Sequence, residues 1–205
     1  MAGAWDRRRL ARAGRSEQDQ AVIAAVRRDP AAAAVLDRAD RLGAPDWALA
    51  AGAVYQNVWN ALTGRPGGYG VRDYDLAYCD VADPGCDAED AVIRRAAALF
   101  CDLGAPVEVR NQARVHLWFE DRYGEARAPL ASTRAALEGY AAPAHMVAVR
   151  RGAHGRLEVL APRGLYDVFA MVIRPARPAA YTDELIAKSE RMRALWPDLR
   201  LELSL

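Results

Sequence analysis

Lysine is almost absent from this chain. Lys188 is the only one, although 28 of the 205 residues are lysine or arginine. The arginine excess by itself reads as the coding bias of a GC-rich genome. It still has a consequence: a phosphate loop of the Walker type needs a lysine beside its glycines, and none stands there. Cysteine is scarce too, with Cys79, Cys86 and Cys101 irregularly spaced and no C-x-x-C pair, which argues against a structural zinc site. An odd cysteine count without a leader-like segment points to a reducing cytoplasm. The basic cluster Arg7–Arg9 is followed by no apolar run, and no stretch approaches the ~20 residues of a membrane span. The net charge of +1 supplies no global field toward nucleic acid or membrane.

Apolar residues are plentiful, at 52% of the chain, enough for a real core. Residues 1–15 read as a loose arm and 16–45 as a helical extension. The core, 46–205, completes a single compact domain. Ser16 opens a capping-box-like SEQD before a helix reaching about Arg28, where Pro30 interrupts. A second helix is expected over 31–42, ending at Gly43. The segment 46–50 fits a short strand or the end of a helix. Helical spacing follows at Val54, Val58, Ala61 and Leu62, then a glycine-rich loop over 64–70. Strands are expected at 74–79 and 107–111, with a helix over 86–104 between them whose first turn is acidic. The stretch QARVHLWFEDRYG reads as helical, and Ser132 caps a short helix to about Tyr140. Two strands joined by a glycine-containing turn occupy 145–161. Helices near 164–173 and 182–195 precede a closing strand, LRLELSL.

The chemistry concentrates in acidic residues set among apolar ones. Asp73 and Asp75 stand two apart in RDYDLAYCD, so an extended backbone puts both on one face. Their repulsion should hinder ionisation of one of them unless something offsets it. A hard divalent cation does so directly, because it chooses carboxylate oxygens. Glu108 lies within the apolar strand VEV, where a carboxylate is costly unless solvated, paired or metal-bound. If the two strands are neighbours, these acids form one cluster. Taken singly, an aspartate pair or a strand glutamate is usually solvated surface. The ordered set is more specific: small-residue turn, helix, glycine-rich loop, aspartate pair, later glutamate.

On the segments AGAVYQNVWN (51–60), RDYDLAYCD (72–80), VEVRNQARVHLWF (107–119) and APRGLYDVFAMVIRP (161–175), the chain resembles the DNA polymerase beta-like nucleotidyltransferase superfamily. More narrowly, it is similar to a group of bacterial nucleotidyltransferase family proteins. The resemblance implies an α+β fold, a nucleotidyltransferase-like mixed β-sheet flanked by helices. It implies two Mg²⁺ (or Mn²⁺) ions and transfer of a nucleoside monophosphate from a nucleoside triphosphate (NTP) to an acceptor with release of pyrophosphate. Asp73 and Asp75 match the metal-holding pair. Glu108 matches the third carboxylate, which would help hold the second ion and take the acceptor's proton. Gly52 and Ala53 fall on the family's small-residue turn. Alanine there supplies no hydroxyl, leaving backbone N–H groups and the positive helix end to hold phosphate.

Other residues divide between function and structure. Asn57 fits a nucleotide contact, or else a cap or an exposed position. Arg110 shares Glu108's face by period two, and Arg114 could clamp phosphate or an acidic acceptor; the alternative for both is an ion pair. His116 reads as structural, Trp59 and Trp118 as core filling, and Arg150–Arg151 as a solvated pair. Asp167 is a possible cap or polar partner. The expected activity is metal-dependent nucleotidyl transfer to a small molecule or a protein. A nucleic-acid acceptor is less favoured by the neutral charge. A non-catalytic nucleotide sensor on the same fold is the alternative, and a toxin–antitoxin component modifying a partner protein is a further one. No membrane partner is expected.

Overall fold

A computed structural model describes residues 5–178 and 182–203. The chain runs α1 (Arg7–Ala11), α2 (Arg15–Arg27), α3 (Pro30–Arg38), β1 (Ala48–Ala50), α4 (Gly52–Leu62), β2 (Tyr74–Tyr78), α5 (Cys86–Leu99) and β3 (Val107–Asn111). It continues through α6 (His116–Tyr123), α7 (Thr133–Leu137), β4 (Ala148–Arg151), β5 (Leu157–Leu160), α8 (Tyr166–Ala170), β6 (Val172–Ile173), α9 (Asp183–Leu195) and β7 (Arg200–Leu201). Five strands share one mixed sheet in the order β3-β2-β1-β4-β5. Only β2 and β3 run parallel within it, and α5 supplies the crossover that a parallel pair requires. Strands β6 and β7 form a separate parallel pair. The fold is the α+β, helix-flanked mixed sheet that the resemblance implies.

The amino-terminal segment departs from the expected loose arm. Asp6 accepts a hydrogen bond from the Arg9 N–H at 2.9 Å and starts α1, whose Leu10 is buried. Residues 1–4 of that arm lie outside the described residues. Helix α2 begins two residues earlier than the SEQD reading places it, with Gly14 as its cap and Ser16 inside the helix. Pro30 opens α3 rather than merely interrupting, because Asp29 accepts from the N–H groups of Ala31 and Ala32. A 3-10 turn, Ala39–Leu42, then ends at Gly43, whose φ of 65° suits glycine. Helix α5 stops at Leu99, short of Gly104. The closing strand shortens to β7, and residues 204–205 of it lie outside the described residues.

Helix α4 packs between α2 and α8 and carries much of the core. Trp59 and Trp196 are fully buried, with ring centroids 5.5 Å apart edge to face. Each indole finds an acceptor: Trp59 donates to the Val168 carbonyl and Trp196 to Asn60 Oδ1, both at 3.0 Å. Truncating either ring would cost about 3–5 kcal/mol. Asn57 and Asn60 are buried on the same helix and act on the 64–70 loop. Asn57 Oδ1 accepts from the Gly68 N–H at 2.8 Å, and Asn60 Nδ2 donates to the Tyr69 carbonyl at 2.9 Å. The loop therefore lies fixed against α4, and β2 leaves it in one position.

Candidate active site

Asp75 and Glu108 are register partners on the parallel strands β2 and β3. In-register neighbours on adjacent strands project from the same face, with backbones roughly 4.8 Å apart. Burial follows the same alternation. Tyr74 and Leu76 are buried while Asp75 is exposed; Val109 and Asn111 are buried while Glu108 and Arg110 are exposed. Asp73 is half-buried and precedes β2.

The electrostatics are those of acids held together. Asp75 is pushed up to about 6, first by burial, then by the charges of Asp73 and Glu108; Lys188 and Arg110 act against the rise. The residue keeps solvent access, yet its carboxyl group lies within a cleft, which accounts for burial being the largest cause. The donor set suits a hard divalent cation in oxygen chemistry and in excess negative charge. Among the described residues, no three His, Cys, Asp or Glu side chains are gathered closely enough to hold an ion as they stand. The fit therefore lies in donor type and strand register.

The cleft beside these acids encloses about 770 Å³, a volume in the range of small-molecule sites. Ala51, the residue between β1 and α4, lines it with φ 44° and ψ −103°, a region alanine rarely adopts. Its N–H donates to the Val147 carbonyl at 2.9 Å, and its own carbonyl accepts from Val54 and Tyr55. This strained turn starts α4 at the cleft. Gly52 is half-buried there, whereas Ala53 is buried within the helix packing.

Two of the expected ligand-contacting residues have partners within the protein. Asn57 is 1% exposed and spends its amide on Asp29 Oδ2 (2.9 Å) and the Ala53 carbonyl (2.8 Å), besides accepting from Gly68. In this fold its amide braces the helix against Asp29 and the glycine-rich loop. Arg114 pairs with Glu89 at 2.9 Å and donates to the Pro84 carbonyl, so its charge is already engaged. Glu89 also accepts from the Asn111 N–H at 2.8 Å, and this small network fixes the exit of β3. Arg110 remains on the cleft lining, bonded only weakly to the Val109 carbonyl. Trp59 fills the core as expected, but Trp118 is 46% exposed and lines the cleft. Arg150 is not a merely solvated charge, since it pairs with Asp46 and Glu158. Asp167 is a polar partner, to Arg174.

Lys188 escaped the sequence reading. It projects from α9 into the cleft, half-buried, and makes no hydrogen bond or ion pair with the described residues. Burial lowers its pKa, while Asp75 is the strongest of the charges opposing that. Its solitary status in an arginine-rich chain was the available signal.

The fold and the acid-lined cleft define a protein of the nucleotidyltransferase class. A family model described as Nucleotidyltransferase matches residues 37–201, and the chain belongs to that family. The match takes in β1 through β7 and leaves α1 and α2 outside. A solved structure described as an NMR structure that reveals a CCA-adding enzyme head domain is similar in fold, with a TM-score of 0.68 at 21% identity. That likeness covers 95% of this chain and 99% of the other. No curated protein matches the chain. No helix among the described residues is long and apolar enough to cross a membrane.

Proposed function

We propose that the cleft transfers a nucleoside monophosphate from an NTP to a hydroxyl of a small-molecule or protein acceptor, releasing pyrophosphate, and that a divalent cation is required. The observation that carries this reading is the register of Asp75 with Glu108 across β2 and β3, beside Asp73, with Asp75 lining the cleft. Asp73, Asp75 and Glu108 would hold the cations. Magnesium or manganese bound there would supply charge neutralisation at the phosphates and activation of the attacking hydroxyl.

The chain's own residues account for the rest. The turn at Gly52 and Ala53 offers unpaired helix-terminal N–H groups and the positive end of α4 to phosphate oxygens. Lys188 brings a mobile positive charge against the same anion. Arg110, on the acids' face, orients an oxygen of the bound substrate. The Glu108 carboxylate accepts the proton of the acceptor hydroxyl as its oxygen bonds to the α-phosphorus and the bond to the pyrophosphate oxygen breaks. Most of the acceleration comes from alignment and fixed charge rather than covalent chemistry.

A nucleic-acid end is the second reading of the acceptor. It is favoured by the exposed Trp118 in the cleft lining, a surface on which a base could stack.

The test is incubation with each of the four labelled NTPs, Mg²⁺ or Mn²⁺, and a cell extract. Label should move to a metabolite or protein, and Asp75→Asn or Glu108→Gln should reduce pyrophosphate release on the order of a thousandfold. Label moving to RNA selects the second reading. Nucleotide binding with no transfer to anything leaves a non-catalytic sensor.

A further inference from the structure

Two guanidinium groups in the same cleft lining answer to no carboxylate. Arg127 lies in the connection between α6 and α7, and Arg177 lies ahead of α9. Neither forms an ion pair with the described residues. Several arginines elsewhere in the fold are paired: Arg114 holds Glu89, Arg151 holds Asp40 and Arg174 holds Asp167. Arg127 is also seated. Its guanidinium carbon stands 4.7 Å from the centroid of the Phe119 ring, a cation–π distance. On Gly139, a Cβ atom would coincide with its Nη2, so the absence of a side chain there is what leaves room for the group. Burial, and then the charge of Arg177, depress its pKa; Glu125 and Tyr140 act the other way without pairing.

Two like charges on one cleft lining, Arg127 half-buried and Arg177 exposed, raise the energy of the empty cleft, and an anion relieves it. Planar guanidinium groups match the oxygens of a phosphate in a forked geometry. We infer that Arg127 and Arg177 form a subsite for a phosphate group, with Phe119 and Gly139 setting the orientation of Arg127. The phosphate belongs either to the tail of the bound nucleotide or to a phosphorylated acceptor. Its part in transfer rests on the proposed function; its binding does not.

The test is calorimetric titration of the full chain, without metal and without turnover, using tripolyphosphate, inorganic phosphate and an NTP. Arg127→Gln and Arg177→Gln should each weaken tripolyphosphate on the order of tenfold. Gly139→Ala should do the same with every charge retained, because its methyl displaces the flexible end of Arg127. Arg177 is exposed and Gly139→Ala meets only a side-chain tip, so both variants should melt within about 2 °C of the parent. A parallel loss of NTP affinity assigns the subsite to the nucleotide. Retained NTP affinity, with loss of inorganic phosphate from the NTP-saturated protein, assigns it to the acceptor. All three variants binding tripolyphosphate and phosphate within about twofold of the parent would overturn the subsite. Arginine-dependent phosphate binding in a protein that transfers no label would leave the subsite standing and remove the transferase reading alone.

Discussion

Asn57 donates its amide N–H to the carboxylate of Asp29 at 2.9 Å, joining the helix that starts at the cleft to the helix before it. The same buried carboxylate caps α3 through Ala31 and Ala32 and accepts the Tyr74 hydroxyl at 2.9 Å. Tyr74 immediately precedes Asp75. One acid thus ties α3, α4 and the start of β2 together, and through Asn57 and Gly68 it reaches the glycine-rich loop.

Asp29→Ala should accordingly destabilise the fold by about 3–5 kcal/mol, since four donors lose their acceptor in a buried setting. Asp29→Asn should cost less, because an amide oxygen can still accept from part of the set. Denaturant unfolding of the two variants measures the difference. Equal losses would mean that packing, not hydrogen bonding, governs the site.

Gly67 meets the same junction from the other side. A Cβ there would run into the carbonyl of Arg28 and the N–H of Asp29, both backbone atoms that cannot swing away. Gly67→Ala should therefore lower the melting temperature by several degrees, on the order of 2 kcal/mol. Gly139→Ala, which meets a side-chain tip, should not. Paired thermal melts test the contrast.

The site's acids were legible in the sequence because local pattern determines them. VEVRN alternates, and strand periodicity places Glu108 and Arg110 on one face without knowledge of the partner strand. The glycine-rich loop and the α4 spacing were legible for the same reason. What escaped depends on contacts between residues far apart in the chain. Asn57 fitted a ligand contact because its true partner, Asp29, lies 28 residues earlier and belongs to another helix. Arg114 fitted a phosphate clamp because Glu89, its partner, lies in the first turn of α5, before β3 in the chain. Lys188 reaches Asp75 from the far end of the chain. The short α1 was missed because five residues carry too little periodicity; the Asp6 cap and the burial of Leu10 decide it.

Lys188 yields a kinetic prediction. A cation with no partner in the described residues, facing the acid cluster, should contribute to binding the substrate's phosphates. Lys188→Met should lower kcat/KM for the NTP by about 10- to 100-fold, and Lys188→Arg should recover part of it. The same Lys188→Met change should leave the melting temperature nearly unchanged or raise it, because a half-buried unpaired charge is removed. Steady-state kinetics beside thermal melts checks both halves.

The acid limb of the stability curve should report His145. This residue is buried, its ring stacks on Tyr55 at 4.9 Å, and its Nε2 has no hydrogen-bond partner. Burial, assisted by the charge of Lys188, lowers its pKa from 6.5 to about 3. The folded state therefore holds the ring neutral while the unfolded chain takes up a proton below about pH 6.5. The unfolded state binds more protons through that window, so this contribution is fully present above 6.5 and is lost as the pH falls toward 3. Each pH unit within the window is worth at most about 1.4 kcal/mol. His145→Phe keeps an aromatic ring against Tyr55 and cannot be protonated. It should flatten the fall in melting temperature between pH 6.5 and 4 while changing little at pH 8. A variant as acid-labile as the parent would move the cause to other groups, and protonation of a ring held neutral by burial would no longer explain the acid limb.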